Sequence, residues 1–244
     1  MGTAVVIWEN VHLTYPDVVG EFDTIRKILK GFSIARFGDG EVKMMEKHVY
    51  TRELKPVPEL AKELRGITEK PHPKCLIGIP TMDPKGTKYE NWKRSKQRFM
   101  KHFNNKTGIT YYSALITRPD CGVWMETREY YEAVIKIWQK KDLVAIVSEP
   151  DSKLLTCLRE TNNVVHIACP MYGAYAHIDR FEKEVAALKP DIALLSCGPT
   201  ATVLAHRLTK RGIQAIDMGS IGGFLQRWRN GGPKPDNYAD ERSN

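Results

Sequence analysis

Short apolar runs alternate along this chain with longer segments whose apolar residues recur at helical spacing. The short runs predict strands at Ser33–Phe37, Leu76–Ile79, Thr110–Leu115, Leu143–Val147, Val164–Ala168, Ile192–Ser196 and Gln214–Ile216. The longer segments predict helices at Glu21–Lys30, Glu41–His48, Pro58–Arg65, Lys88–Phe103, Glu126–Lys140, Ser152–Thr161, Tyr175–Leu188 and Pro199–Arg211. Strands separated by helix-length segments indicate an α/β fold with a mostly parallel sheet and helices on both faces.

The organisation along the chain predicts one domain over residues 1–229, without internal repeats. The tail 230–244 is rich in Gly, Pro, Asn and charged residues, so we expect it to be flexible. No apolar run approaches the roughly 20 residues that span a bilayer, and the first ten residues do not resemble a secretion signal. Five widely spaced cysteines without a C-x-x-C pair match neither a disulfide framework nor a zinc module. We therefore expect a cytoplasmic protein.

The net charge of +8 is concentrated in one segment. Between Lys85 and Lys106 lie eight basic residues and a single acid, Glu90. Aromatic residues recur there at roughly helical spacing, which predicts a helix with one face packed inward and the cations outward. The cations either form a solvated face or bind a polyanion such as DNA or RNA, or an anionic membrane surface. The candidate acceptor-binding residues are Lys93, Arg94, Lys96 and Arg98.

Polar and glycine-rich loops follow four of the predicted strands. They begin at Arg36, Ser148, Cys197 and Asp217. In an open α/β sheet, ligands bind beyond the carboxyl ends of the strands. Four such loops at one edge predict a nucleotide or phosphate site.

The tripeptide Asp39-Gly40-Glu41 admits two interpretations. Two carboxylates flanking a glycine can both reach a hard divalent cation, and Arg36 could add a forked contact to a phosphate. Alternatively, Asp39 caps the following helix and Glu41 favours its first turn. Taken alone, the tripeptide favours the second interpretation.

The sequence Gly198-Pro199-Thr200 opens a helix after an apolar strand. Its free N–H groups and the Thr200 hydroxyl could hold a phosphate, or the segment is a plain tight turn. P-loop, dinucleotide-binding, nucleophile-elbow and H-E-x-x-H patterns are all absent from the sequence. These absences argue against ATP hydrolysis, nicotinamide chemistry, serine hydrolases and zinc proteases.

The stretch Ser33–Glu41 closely resembles the signature of the GT-D-type glycosyltransferases, formerly a domain-of-unknown-function family. The likeness continues through later segments in matching order, at Ile137-Trp138, Ala168–Pro170, Cys197–Ala205 and Gly212–Gly219. The resemblance implies a Rossmann-like fold and transfer of a sugar from a nucleoside-diphosphate sugar such as UDP-glucose.

The resemblance also implies roles for individual residues. Asp39 and Glu41 match the family's D-x-E motif, which is associated with a divalent metal, Mn²⁺ or Mg²⁺, and with the donor. Further positions match the motifs and are candidates for holding the donor: Arg36, Gly38, Asp39, Gly198, Pro199, Thr200 and Asp217.

The chain departs from the family pattern near its end. Family members tend to read Asp-Ile-Gly-His-Ile-Asp where this chain has Asp217-Met218-Gly219-Ser220-Ile221-Gly222. A histidine and an acid are therefore missing from a loop near the expected site. We expect Glu149 to act as the general base, with Asp217 as the alternative.

Together these features predict a metal-dependent glycosyltransferase with a hydroxyl acceptor. The basic segment and the altered loop favour a hydroxymethylated pyrimidine in DNA, exposed by base flipping if it lies in a duplex, whereas the family favours a glycan on a protein or polysaccharide. A non-catalytic nucleic-acid-binding protein and a metal-dependent phosphohydrolase are the alternatives of other classes.

Overall fold

The computed structural model describes residues 14–46, 52–53, 55–81, 89–103, 108–121 and 127–231, with only the backbone for 89–95. Within these ranges the strands are β1 (Val18–Val19), β2 (Ser33–Arg36), β3 (Cys75–Ile79), β4 (Tyr111–Ser113), β5 (Val144–Ser148), β6 (Val164–Ala168), β7 (Ile192–Ser196) and β8 (Ala215–Asp217).

The helices separate these strands. They are α1 (Glu21–Leu29), α2 (Asp39–Met45), α3 (Pro58–Glu69), α4 (Tyr89–His102), α5 (Arg128–Ile135), α6 (Lys153–Arg159), α7 (Ile178–Leu188), α8 (Pro199–Lys210) and α9 (Ile221–Arg229). Short 3₁₀ helices follow β4 at Ala114–Thr117 and precede α7 at Ala174–His177.

The strands form one sheet in the order β1-β4-β3-β2-β8-β7-β5-β6. Every strand pairing within the described ranges is parallel. The predicted α/β class with a parallel sheet is therefore confirmed. Because all strands run the same way, the loops after them gather at one edge of the sheet.

The central strands are mostly apolar because both faces of the sheet are covered. In β5, Ala145 and Val147 belong to one buried cluster, whereas Val144 and Ile146 belong to the other. Side chains from α2, α3, α4, α7 and α8 complete the first cluster. Side chains from α1, α5, α6 and α9 complete the second, so helices lie on both faces as predicted.

Two elements were not predicted. Strand β1 has two residues, too few for a periodic pattern, and pairs with β4 at the edge of the sheet. Helix α9 contains Gly222 and Gly223, which disfavour a helix in isolation, and it is held by packing of Phe224 and Leu225 in the second cluster.

Several predicted boundaries were wrong. The predicted strand Thr110–Leu115 is shortened by the 3₁₀ turn after Ser113, whose hydroxyl accepts a hydrogen bond from the N–H of Leu115 at 3.1 Å. Helix α2 begins at Asp39 rather than at Glu41. The helix predicted over Glu126–Lys140 covers only α5, and the regular helix predicted from Tyr175 begins at Ile178.

Some predictions lie outside the described residues, namely residues 85–88 and 104–106 of the basic segment and most of the tail, 232–244. Across the ranges that the structure covers, none of the helices combines the length and apolarity needed to cross a membrane.

Candidate active site

The strand order reverses between β2 and β8, and a crevice opens there beyond the carboxyl ends of the strands. β2 leads to β3 and β4 on one side, whereas β8 is flanked by β7 and β5 on the other. Arg36 ends β2, Asp217 ends β8, and the two side chains meet with Arg36 Nη1 3.4 Å from Asp217 Oδ1. A crevice at such a reversal is the usual ligand site of open α/β sheets.

A cavity of about 410 Å³ occupies this crevice. Three arginines and three carboxylates are among its lining residues: Arg36, Arg52, Arg118, Asp39, Glu41 and Asp217. Gly38, Gly198, Ser196, Gly219 and Ser220 contribute further to the wall. Six predicted site residues from β2, α2, β8 and the loop after β7 are thus brought together.

Glu41 is tied to the start of α2. Its Oε2 accepts a hydrogen bond from the N–H of Gly38, the N-cap, at 2.7 Å, and glycine has no side chain to return a second bond. Loss of hydration and, to a smaller extent, the nearby charge of Asp217 together raise the pKa of Glu41 to about 7, against the opposing effects of hydrogen bonds and of Arg36. The charge of Asp217 is therefore close enough to disfavour the ionised form of Glu41.

Asp39 is the first residue of α2, so the alternative in which it caps the helix is wrong. Its Oδ2 pairs with Lys43, one turn along, and its Oδ1 lies 3.5 Å from Arg98 Nη1. The Asp39 side chain is about one third exposed. It lines the cavity and also contacts Arg98 of α4.

Asp217 is almost fully buried and anchors the loop after β8. Its Oδ1 accepts a hydrogen bond from the Gly219 N–H at 3.1 Å, and its Oδ2 lies 3.2 Å from the Thr202 hydroxyl. Burial raises the pKa of Asp217, and the Arg36 charge and these hydrogen bonds oppose that shift. Both oxygens of this carboxyl group thus have partners within the protein.

The three residues of the segment Gly198-Pro199-Thr200 lie in different surroundings. Gly198 lines the cavity with φ of +62°, and a Cβ there would lie 3.2 Å from Arg52 Cδ. Pro199 and Thr200 are buried, and the Thr200 hydroxyl lies 3.3 Å from Glu53 Oε1. Of the three, only Gly198 is among the residues that line the cavity.

Glu149 lies outside this cavity and lines an adjacent one of about 320 Å³. It forms an ion pair with Arg52, which lines both cavities. The two candidate bases therefore line different cavities. Asp217 lines the first and Glu149 the second, and Arg52 lines both.

Within the described part of the basic segment, residues 89–102 form α4, as the apolar spacing predicted. Phe99 and Phe103 are fully buried against the sheet. Arg98 Nε lies 2.8 Å from Glu46 Oε2, and Lys101 Nζ lies 3.8 Å from Glu46 Oε1. Two of the positive charges of the basic segment are thus paired with a carboxylate of the protein itself. The side chains of Lys93 and Arg94 lie outside the described set, whereas Lys96 is partly exposed.

Two arginines that line the cavity were not predicted from the sequence. Arg118 follows β4 and forms a forked pair with Asp120, with both N–O distances 2.8 Å. It lies beyond the carboxyl end of a strand and could have been found by the rule that identified the other loops. Arg52 lies between α2 and α3 in a segment without a recognisable pattern, so the sequence carries no signal for it.

The comparisons with known proteins agree with this architecture. A solved structure of a highly conserved domain of unknown function 1792, described as a distinct glycosyltransferase fold, superposes with a TM-score of 0.77 at 25% identity, covering 94% of this chain and 90% of that one. A domain of unknown function 1792 glycosyltransferase from Streptococcus sanguinis superposes with a TM-score of 0.76 at 23% identity, covering 92% and 93%.

Two curated sequences are also similar. Glycosyltransferase GlyD of Streptococcus pneumoniae is 23% identical over 205 residues, which are 78% of this chain and 25% of that protein. The probable glycosyl transferase Gly of Streptococcus gordonii is 26% identical over 205 residues, 79% of this chain and 30% of that protein. The chain thus spans less than a third of either relative. Residues 34–234 match the family described as glycosyltransferase GT-D fold, so this chain belongs to the GT-D glycosyltransferase family.

Proposed function

We propose that this protein transfers a sugar from a nucleoside-diphosphate sugar, with a UDP-sugar as the expected donor, to a hydroxyl group. The observation that carries the proposal is the cavity between β2 and β8, lined by three arginines and three carboxylates. Arginines bind phosphate oxygens, and carboxylates bind the hard cations that accompany diphosphates. Membership of the GT-D family supports the same reaction.

The arginines provide the contacts for the diphosphate. Arg36 is held by a hydrogen bond from its Nε to the Ala114 carbonyl oxygen at 2.7 Å and by its Nη1 at 3.4 Å from Asp217 Oδ1, and it lines the cavity in this position. Arg118 and Arg52 reach the cavity from other elements. Fixed cations around a departing diphosphate stabilise its developing charge.

The carboxylates suit a divalent cation. Asp39, Glu41 and Asp217 line one cavity, and a cation would relieve the effect of the Asp217 charge on Glu41. Among the described residues no three His, Cys, Asp or Glu side chains are grouped so as to hold an ion by themselves, so two carboxylates and the diphosphate of the donor would supply the ligands. Asp39 and Glu41 would hold the ion, Mn²⁺ or Mg²⁺, as the family motif implies. When bound, the ion neutralises charge on the diphosphate leaving group.

The acceptor hydroxyl needs a base, and the contacts favour Glu149 over Asp217. Both oxygens of Asp217 are engaged by Gly219 and Thr202, which suits a structural anchor. Glu149 faces the adjacent cavity and has one arginine partner. We assign the proton transfer to Glu149.

A DNA acceptor, such as a hydroxymethylated pyrimidine, is a second candidate because the basic residues concentrate in one segment. In this interpretation Lys93, Arg94, Lys96 and Arg98 contact phosphates. Arg98 also contacts Asp39 and Glu46, so its replacement would affect the metal site as well. A double variant, Lys93→Ser with Lys96→Ser, therefore tests DNA binding without changing the contacts of Arg98.

The test incubates the protein with Mn²⁺, a panel of nucleotide sugars, and either glycosides or hydroxymethylated DNA, followed by mass spectrometry. Asp39→Asn and Glu41→Gln should each reduce transfer by about 10²-fold or more, since they remove a ligand while keeping shape. Glu59→Gln, an exposed acid on α3, is the matched control.

Three outcomes would contradict the proposal. Full transfer in both carboxylate variants would refute the metal assignment. Phosphate release from nucleotides without sugar transfer would indicate a phosphohydrolase, and salt-sensitive DNA binding without turnover would indicate a non-catalytic binding protein.

A further inference from the structure

Arg52 lies between α2 and α3, outside any helix or strand, and it still lines the cavity between β2 and β8, called the donor cavity below. Its side chain is 44% exposed and pairs with Glu149. A cation stabilises a departing diphosphate most when its position is fixed before the reaction. A long side chain on an irregular segment has no helix or strand to fix it, so its position depends on the contacts of the segment itself.

The backbone and the aliphatic part of Arg52 contact two glycines. The N–H of Gly173 donates a hydrogen bond to the Arg52 carbonyl oxygen at 2.9 Å. A Cβ on Gly198 would lie 3.2 Å from Arg52 Cδ and 3.7 Å from Arg52 Cβ. The bare backbone at Gly198 thus lets the Arg52 side chain pass close to the loop after β7.

The next residue, Glu53, is 5% exposed and is not among the residues that line either cavity. The Thr200 hydroxyl donates a hydrogen bond to Glu53 Oε1 at 3.3 Å, and a backbone hydrogen bond from Tyr175 reaches the same carboxyl group. Burial raises the pKa of Glu53, and these two hydrogen bonds oppose that shift. Because a buried carboxylate needs such partners, they give Glu53 a defined position.

The partners of Glu53 belong to rigid elements. Thr200 is the second residue of α8, so the carboxyl group lies beside the first turn of that helix, where the helix dipole favours negative charge. Tyr175 belongs to the 3₁₀ helix before α7. The start of α8, for which the sequence suggested a phosphate, thus contacts a carboxyl group of the protein itself.

We propose that Glu53 is a positioning residue, which anchors the 52–53 segment to α8 and thereby holds the Arg52 guanidinium at the donor diphosphate. The inference rests on the proposed function, because it needs Arg52 to stabilise the charge that develops on the diphosphate. Glu53 acts only through Arg52. A displacement of about 1 Å at a reacting site can cost up to about 10²-fold in rate, so loss of this anchor should be measurable.

A double-mutant cycle separates positioning from general destabilisation. Arg52→Ala should lower kcat/KM for the nucleotide sugar by about 10²-fold. Glu53→Gln, which keeps the shape and removes the charge, should lower it by about tenfold. The double variant should be no slower than Arg52→Ala, because Glu53 has nothing left to position. A merely structural effect would multiply with the loss of Arg52.

Glu21→Gln is the matched control for the loss of a buried carboxylate. Glu21 is 7% exposed and accepts a hydrogen bond from the Ser113 hydroxyl at 2.7 Å. Its effect on kcat/KM should be the same with and without Arg52. UDP affinity and the unfolding free energy are measured for every variant.

Thr200 tests the same anchor from the side of α8. Thr200→Val keeps the volume, removes the hydroxyl and should lower kcat/KM by about fivefold, the equivalent of one hydrogen bond. Thr200→Ser keeps the hydroxyl and should stay within about twofold of the unmodified protein. Thr200→Val combined with Arg52→Ala should again be no slower than Arg52→Ala.

The outcomes distinguish this inference from the proposed function. Losses that multiply in both cycles would overturn the positioning role, since Glu53 and Thr200 would then act independently of Arg52. Full transfer by Glu53→Gln, beside an impaired Arg52→Ala variant, would overturn it and leave the proposed function intact. Full transfer by Arg52→Ala would also overturn it alone. No transfer by the unmodified protein from UDP-glucose or any other nucleotide sugar of the panel would overturn both.

Discussion

Arg36 Nη1 lies 3.4 Å from Asp217 Oδ1, and this pair joins two strands that are 181 residues apart in the chain. Arg36 also donates from Nε to the Ala114 carbonyl oxygen, so its guanidinium ties three strand ends together. The Thr202 hydroxyl lies 2.8 Å from the Arg36 carbonyl oxygen and 3.2 Å from Asp217 Oδ2, which adds α8 to the same network. The geometry of the donor cavity depends on these contacts.

Arg36→Lys should lower kcat/KM for the nucleotide sugar by about tenfold or more. Lysine keeps the charge but cannot bond Ala114 and Asp217 while also contacting a phosphate. Steady-state kinetics with varied donor concentration measure the effect. Arg26→Lys, an exposed arginine on α1, is the control, and equal losses in both variants would contradict this role.

Gly219→Ala should both destabilise the protein and impair donor binding. Gly219 has a φ of +49°, and a Cβ there would lie 2.5 Å from Arg36 Nη1. Gly212→Ala is the matched control, because Gly212 also has a positive φ but has open space around it. Each variant should lose roughly 1–2 kcal/mol of unfolding free energy from backbone strain in denaturant titrations. Only Gly219→Ala should also weaken UDP binding, and equal UDP affinity in the two variants would refute the contact with Arg36.

Gly222→Ala should reduce the unfolding free energy by about 3 kcal/mol or more, because the new methyl group would overlap the backbone of Leu154. Gly223→Ala, its neighbour in α9, has no such overlap and should stabilise the protein by up to about 1 kcal/mol. Thermal and denaturant unfolding of the pair test the close approach of α9 to α6. Equal stability of the two variants would contradict it.

The contribution of His206 to the stability of the protein should be lost on acidification from about pH 6.5 to pH 4, whereas the raised pKa of Glu41 acts in the opposite direction. This side chain is 5% exposed in α8, and burial, reinforced by Lys210, lowers its pKa to about 4. A folded-state pKa below the unfolded value means that the stability is fully present above pH 6.5 and is lost as pH falls toward 4, by about 3 kcal/mol.

His206→Gln should remove this contribution, so that the unfolding free energy of the wild type minus that of the variant falls between pH 6.5 and pH 4. His177→Gln, at an exposed position before α7, is the control and should leave the slope unchanged. A wild-type slope in the His206→Gln variant would show that other groups cause the acid sensitivity.

Much of the fold could be predicted from the sequence because both faces of the sheet are covered. Complete burial makes β5 and β7 continuous apolar runs, which stand out against the amphipathic helices around them. Helix α9 could not be predicted, since Gly222 and Gly223 lower its intrinsic propensity. Its stability comes from packing against α6.

The sequence by itself determined the parallel α/β class, the family and the residues at the strand ends, because these depend on local patterns and on the direction of parallel strands. Only the tertiary structure decided which groups share a cavity. It placed Arg52 between two cavities, separated Glu149 from Asp217, and turned Thr200 toward Glu53. These relationships arise from contacts between residues that are far apart in the chain, and no local pattern of residue types encodes them.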